Sequence, residues 1–182
     1  MAKQISGIYG DAFFSLALEE DAVDRLAEEI ALSREVFLEN EDLMSLLNHP
    51  EITREEKLAL VENAFRGKVS EETVGFFHVI IKKERHNDFL PIFEHFLQRV
   101  KRYKRIGSAR VTSALELTDR QKAAVEDRLL KTTDYRSFEI EYIVKPEIIG
   151  GLIIRVDDRV VDSSLKTQID TLTRQLSRIQ LS

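Results

Sequence analysis

The hydrophobic period of the sequence changes once, close to Gly107, and this change constrains the fold more than any other feature. Before it, apolar residues recur every three or four positions, as they do along amphipathic helices. After it, the segments "SARVTSALE" and "FEIEYIV" alternate apolar and polar residues, as strands do. The sequence therefore predicts two dissimilar domains, 1–105 and 106–182.

About six helices are predicted before the boundary, and their short connections are typical of a helical bundle. Asp21, Thr53 and Ser70 each precede a helical stretch, and the pattern "TREE" at Thr53 resembles a capping box. Past the boundary we expect a helix that begins at Thr118 or Asp119, then strands and a last helix. The predicted class is α+β: an N-terminal six-helix bundle followed by a small C-terminal α/β domain with a short sheet and a long terminal helix.

Composition and motifs argue against catalysis. The chain is 43% hydrophobic and 32% charged with a net charge of -5, which supports a folded core and disfavours bulk binding of nucleic acid. It has no cysteine, its histidines form no HExxH pattern, and Gly67-Lys68 lacks the Ser or Thr that a phosphate-binding loop requires. We therefore predict no cofactor, no metal and no catalytic residue. The apolar run "FFHVII" is far shorter than the roughly 20 residues of a membrane helix.

Two other classes of protein stay open from the residues alone. The basic cluster of Lys101, Arg102, Lys104 and Arg105 ends a predicted helix, where positive charge suits the helix dipole, but it could also bind nucleic acid or anionic lipid. Pairs of carboxylates could support a hydrolase, although nothing in the sequence fixes their surroundings.

The segment "GGLIIRVDDRVVDSSLKTQIDTLTRQL" is the most organised part of the chain. Its glycine pair opens a strand, which indicates a bulge or a close backbone approach and not a phosphate site. Asp162, Ser163 and Ser164 offer oxygens to cap the helix that follows. Apolar residues then recur at alternating steps of four and three, a seam that seats one helix against another; they are Leu165, Ile169, Leu172, Leu176 and Ile179. Either this seam packs on the domain's own sheet, or part of it, toward Leu176 and Ile179, is left for a partner helix.

The same segment resembles the C-terminal signature of the delta subunits of bacterial proton-translocating ATP synthases, whose mitochondrial relative is the oligomycin-sensitivity-conferring protein. Asp157 and Ser163 stand where that family has glycine. Near the start, "YGDAFFSLA" is similar to the family's opening, and "KKERHNDFLPIFEHF" to the entry into its sixth helix. The residues that match the signature are Gly150, Gly151, Asp162, Ser164, Leu165 and Leu172.

The resemblance implies a non-catalytic stator subunit that links the catalytic head to the peripheral stalk, so that the head does not turn with the rotor. It implies that the first domain holds N-terminal segments of the alpha subunits and that the second holds the C-terminal segment of the b subunit. The place implied is the cytoplasmic face of the bacterial plasma membrane, with membrane association only through the complex.

The first and fifth helices are the candidates for the alpha-subunit site, because each has more apolar residues than one buried stripe requires. The alternative is that both helices are simply central to the bundle. The candidate alpha-binding residues are Ile8, Tyr9, Ala12, Phe13, Leu16, Phe76, Val79, Ile80 and Lys83, and the candidate b-binding residues are Leu172, Leu176 and Ile179.

Overall fold

The computed structural model describes residues 2–179, and the side chains of residues 6–175. The chain divides into two compact units, Met1–Lys101 and Arg102–Ser182. Each unit has a hydrophobic core of its own. No helix in the described part of the chain is long and apolar enough to cross a membrane.

The first unit is helical, and its core is rich in phenylalanine. The rings of Phe37 and Phe89 stack with centroids 4.9 Å apart, and the edge of Phe77 meets both. Ring pairs of this kind add to the free energy gained by burying aromatic area. The helices are α1 (Ala2–Glu19), α2 (Val23–Glu39), α3 (Glu41–Asn48), α4 (Arg54–Phe65), α5 (Glu71–Lys82) and α6 (Phe89–Lys104), which runs past the end of the unit.

The three helix caps predicted in the first unit have different outcomes in the structure. At Thr53 the hydroxyl accepts from the N–H of Glu56, whose carboxylate accepts from the N–H of Thr53, so the predicted capping box is confirmed. Ser70 starts α5 but makes no such cap. The predicted cap by Asp21 is wrong: Ala22 is the residue before α2, and Asp21 lies in the preceding turn with a φ of 51°.

In the described residues, the second unit is a four-stranded mixed sheet with two α-helices and a short 3-10 helix, Pro146–Ile148. The strand order is β2-β1-β3-β4, with β1 and β2 parallel and the other two pairs antiparallel. The parallel pair is joined by a crossover helix, as such pairs require. The elements are β1 (Ile106–Ser113), α7 (Asp119–Thr132), β2 (Ser137–Val144), β3 (Leu152–Val156), β4 (Arg159–Asp162) and α8 (Leu165–Ile179).

The apolar side chains of α7 cover one face of this sheet. Val125 and Leu129 pack against Val111 in the centre, with Ile140 and Ile154 beside them. The start of α7 is the predicted one, since Thr118 forms a capping box with Gln121. The predicted order of helices first, then a small sheet and a terminal helix, is confirmed.

Candidate partner-binding surfaces

The predicted residues of α1 and α5 divide into a buried floor and an exposed strip. The rings of Phe13 and Phe76 stack 4.0 Å apart and nearly parallel, at 9°, so they join the two helices. Both rings are buried, as is Ile80, and Tyr9 and Leu16 are half-buried. Four residues are exposed: Ile8, Ala12, Val79 and Lys83.

We call the exposed apolar residues Ile8, Ala12 and Val79, with the Phe13–Phe76 floor, the α1–α5 surface. Ile8 is 69% exposed and Val79 45% exposed. The interpretation that both helices are wholly central is therefore wrong for these positions. Gly75 of α5 is also exposed, and a Cβ atom there would meet nothing within 4 Å. Sequence reasoning missed Gly75, although a glycine inside a helix is a signal worth following.

A carboxylate on α2 holds the start of α5. Oε2 of Glu29 accepts from the backbone N–H of Ser70 at 3.1 Å, from its hydroxyl at 2.7 Å, and from the hydroxyl of Thr73 at 2.5 Å. Beside it, Arg25 donates to Glu72 at 3.0 Å, and this bond lowers the pKa of Glu72 to about 2. The position of α5 is thus fixed by a residue more than 40 positions earlier, which no local pattern reveals.

The apolar seam of α8 is open to solvent along the part whose side chains are described. Leu165, Ile169 and Leu172 are 43%, 50% and 57% exposed. The interpretation that the seam packs on the domain's own sheet is therefore wrong for these three residues. The candidates Leu176 and Ile179 lie outside the described side chains.

Hydrogen bonds from four neighbouring residues fix the start of α8. Asp162 accepts from the N–H of Ser164 at 2.8 Å and from the hydroxyl of Thr167 at 2.7 Å. The N–H of Thr167 donates to the hydroxyl of Ser164, and the hydroxyl of Ser163 donates to the carbonyl of Leu152. The backbone N–H of Ser164 and then its side chain lower the pKa of Asp162. The predicted capping role is confirmed for Ser164, which accepts a backbone N–H of α8. Asp162 supports this cap through Ser164 and Thr167, and the predicted cap by Ser163 is wrong because its hydroxyl donates to Leu152.

The glycine pair lies where the chain passes against this helix start. The N–H of Leu165 donates to the carbonyl of Gly150 at 2.9 Å, and a Cβ on Gly150 would lie 2.8 Å from Leu165 Cδ1. Gly151 has a φ of 77°, and a Cβ there would overlap the carbonyl oxygen of Ser163. These two glycines therefore allow the close backbone approach that the sequence indicated.

The turn at Asp157 explains why a glycine suits that position. Asp157 has a φ of 50°, a conformation that glycine adopts without cost and aspartate tolerates. Its carboxylate accepts from the hydroxyl of Tyr135 at 2.5 Å, and this bond raises the pKa of Tyr135. The β3–β4 turn therefore forms with aspartate in the place where the family has glycine.

No cluster of three or more metal-ligating side chains occurs within the described part of the chain. What the chain offers instead is an exposed apolar strip on the first unit and an exposed apolar helix face on the second.

Comparison with known proteins agrees with this arrangement. The family model described as ATP synthase delta (OSCP) subunit matches residues 5–176. The chain belongs to this family. It is 51% identical to the ATP synthase subunit delta of Lachnoclostridium phytofermentans, over the full length of both. It is 33% identical to the one of Halalkalibacterium halodurans, over 94% of each chain.

The fold is also found in a solved structure. A chain of the Toxoplasma gondii mitochondrial ATP synthase hexamer matches with a TM-score of 0.69 and 14% identity, over 94% of this chain and 96% of that one. Members of the family are peripheral-stalk components of the ATP synthase. This delta-family chain is accordingly a structural subunit of a membrane-bound complex, and not a catalytic one.

Proposed function

We propose that the chain holds the catalytic head and the b-subunit stalk together, so that the head does not turn with the rotor. The domain 1–105, as one six-helix bundle, binds N-terminal segments of the alpha subunits. The domain 106–182 binds the C-terminal segment of the b subunit. The place of action is the cytoplasmic face of the bacterial plasma membrane, which the chain reaches only through the complex. The observation that carries the proposal is that each unit leaves one apolar helix surface open.

The α1–α5 surface suits an amphipathic helix of the alpha subunit. Such a helix binds in a groove whose floor is apolar and whose walls allow close approach. The stacked rings of Phe13 and Phe76 supply the floor, while Ala12 and Gly75 are small enough to admit a partner backbone. Ile8 and Val79 would lose exposed apolar area on binding, worth about 25 cal/mol per Å² before the costs of association.

The seam of α8 suits a helix of the b subunit. The residues that flank Ile169 and Leu172 in the heptad are mainly uncharged: Gln168, Thr173 and Gln175, with Lys166 at the start. Apolar burial therefore supplies most of the affinity, and the binding depends only weakly on salt.

A reciprocal binding experiment tests both assignments. Ala12→Asp and Val79→Asp place a charge on the α1–α5 surface, and Leu172→Asp places one on the seam. We expect the first two to weaken binding of a synthetic alpha N-terminal peptide by about tenfold or more, as at an interface hot spot. We expect Leu172→Asp to weaken binding of a peptide from the C-terminal segment of the b subunit by a similar factor. Binding of the alpha peptide should not change in this variant.

The matched control is Ala124→Asp, which puts the same charge on an exposed alanine of α7. Circular dichroism and thermal unfolding establish that each variant is folded. Folded Ala12→Asp and Val79→Asp variants that bind the alpha peptide normally would place the alpha site elsewhere.

A further inference from the structure

An isoleucine close to the start of α8 has a backbone conformation that its own side chain disfavours. Ile149 follows the 3-10 helix Pro146–Ile148 with a φ of 69° and a ψ of -41°. These values lie near the classic γ-turn, which is rare and strained, and positive φ is a genuine outlier for a residue branched at Cβ. The other non-glycine residues with positive φ in the described part of the chain are not β-branched: Asp21, Glu84, Arg105 and Asp157.

The turn itself uses the backbone of Ile149 and gives its side chain little burial. The N–H of Ile149 donates to the carbonyl of Pro146 at 2.9 Å, a bond that glycine would make equally well. Ile148 is buried, whereas Ile149 is 61% exposed. Within this unit an isoleucine at position 149 therefore carries the strain of its conformation and gains little from packing. Residues held in such conformations cluster at functional sites, including those that clamp a ligand.

Ile149 extends the open apolar seam of α8 beyond its first turn. The carbonyl of its neighbour Gly150 accepts the N–H of Leu165 at 2.9 Å, and a Cβ on Gly150 would lie 2.8 Å from Leu165 Cδ1. The turn thus lies against the first residue of the seam. Exposed apolar side chains then follow one another from Ile149 to Leu165, Ile169 and Leu172. A patch of this kind marks a site for a partner.

We propose that Ile149 binds the b-subunit helix together with the seam of α8, an inference that rests on the function proposed for α8. The partner helix passes over the first turn of α8 and buries the side chain of Ile149 beside Leu165. Burial of an isoleucine side chain favours the complex, whereas glycine would relax the turn and leave the partner without this contact. The b-subunit residue that faces position 149 is accordingly apolar.

Two substitutions separate this role from a structural one, because they remove the strain and the apolar side chain together. Ile149→Gly has no side chain, and Ile149→Asn tolerates positive φ. We expect both to weaken binding of the b-subunit peptide by about tenfold. The midpoint of urea unfolding of the second unit should not fall, because the strain is relieved. Ile149→Leu keeps an apolar side chain of equal volume and should change the binding by less than about twofold.

A label at position 149 reports the contact directly, because the chain has no cysteine of its own. Ile149→Cys with an environment-sensitive fluorophore should shift its emission to the blue when the b-subunit peptide is added. The matched control is Asp157, a second non-glycine residue with positive φ, at the other end of β3. Asp157→Gly should leave the peptide affinity unchanged, and a label on Asp157→Cys should not respond.

Three outcomes would overturn the proposal: normal peptide binding by Ile149→Gly, a joint loss of stability and binding, or a label at position 149 that does not respond. Leu172→Asp tests the function of α8 separately. If Leu172→Asp loses the b-subunit peptide and Ile149→Gly retains it, this inference fails and the stalk function stands. If Leu172→Asp binds normally and Ile149→Gly does not, the assignment of the seam fails instead. A full chain that binds no b-subunit peptide would contradict both.

Discussion

Gly151 and Gly67 share a positive φ, 77° and 71°, but a side chain would meet very different surroundings at the two positions. At Gly67 a Cβ atom meets nothing within 4 Å, whereas at Gly151 it overlaps the backbone of Ser163. Backbone conformation alone therefore restricts Gly67, while conformation and space together restrict Gly151. Local sequence cannot distinguish these two cases, because Ser163 is on the far side of a hairpin from Gly151.

We predict that Gly151→Ala destabilises the second unit by about 3 kcal/mol and that Gly67→Ala costs the first unit about 1 kcal/mol. The larger cost arises because the strand start or the α8 start must move to relieve the overlap. Urea unfolding of the full chain, followed by signals from each unit, measures both values. Equal costs would show that the contact with Ser163 relaxes freely.

Asp162 makes the start of α8 sensitive to acid. Its pKa is lowered below the ordinary value of 3.8 by the N–H of Ser164, then by the side chains of Ser164 and Thr167. The folded state thus favours the carboxylate, so the stabilisation is full above the ordinary pKa and is lost as pH falls through the lowered one.

We expect the stability of the wild type to fall between about pH 5 and pH 2, and we expect Asp162→Asn to reduce stability near pH 7 and to flatten this fall. Asp158→Asn, on an exposed turn residue, should change neither. Thermal unfolding across this range provides the measurement. A variant as steeply acid-sensitive as the wild type would mean that other carboxylates control the transition.

At the scale of elements, the position of α5 depends on hydrogen bonds to a side chain of another helix, α2. Three donors at its start converge on one oxygen of Glu29, whose side chain is 12% exposed. We predict that Glu29→Ala costs about 2–3 kcal/mol, because it leaves the hydroxyl of the buried Thr73 without its acceptor. Glu28→Ala, on the exposed neighbour, should cost less than about 0.5 kcal/mol. Chemical denaturation of both variants gives the comparison, and a similar small cost for both would contradict a role for Glu29 in holding α5.

The elements also show how far sequence patterns reach. The caps at Thr53 and Thr118 were predictable because donor and acceptor lie three residues apart. The cap of α5 was not, because its acceptor lies on α2. Likewise, the sequence shows that α1 and α5 have wide apolar arcs. Which of these side chains stay exposed depends on how the two helices pack, and the stack of Phe13 on Phe76 is part of that packing.

At the scale of the whole molecule, the division into two compact units predicts that each unit folds independently. We predict that a fragment of residues 1–105 folds alone, since its apolar faces already form one phenylalanine-rich core. Helical circular dichroism and a cooperative thermal transition are the expected results. A fragment with little helix and no transition would show that the first unit needs the second.

The way α8 is attached sets how firmly the proposed stalk segment would be held. The helix is fastened at its first turn by Asp162, Ser164 and the glycine pair, while its described apolar face is uncovered. The described part of the helix, the 11 residues of Leu165–Gln175, is therefore a lever about 16 Å long that is held at one end. A bend of roughly 10° at its base would displace Gln175 by about 3 Å, so a few hydrogen bonds set the stiffness of this joint.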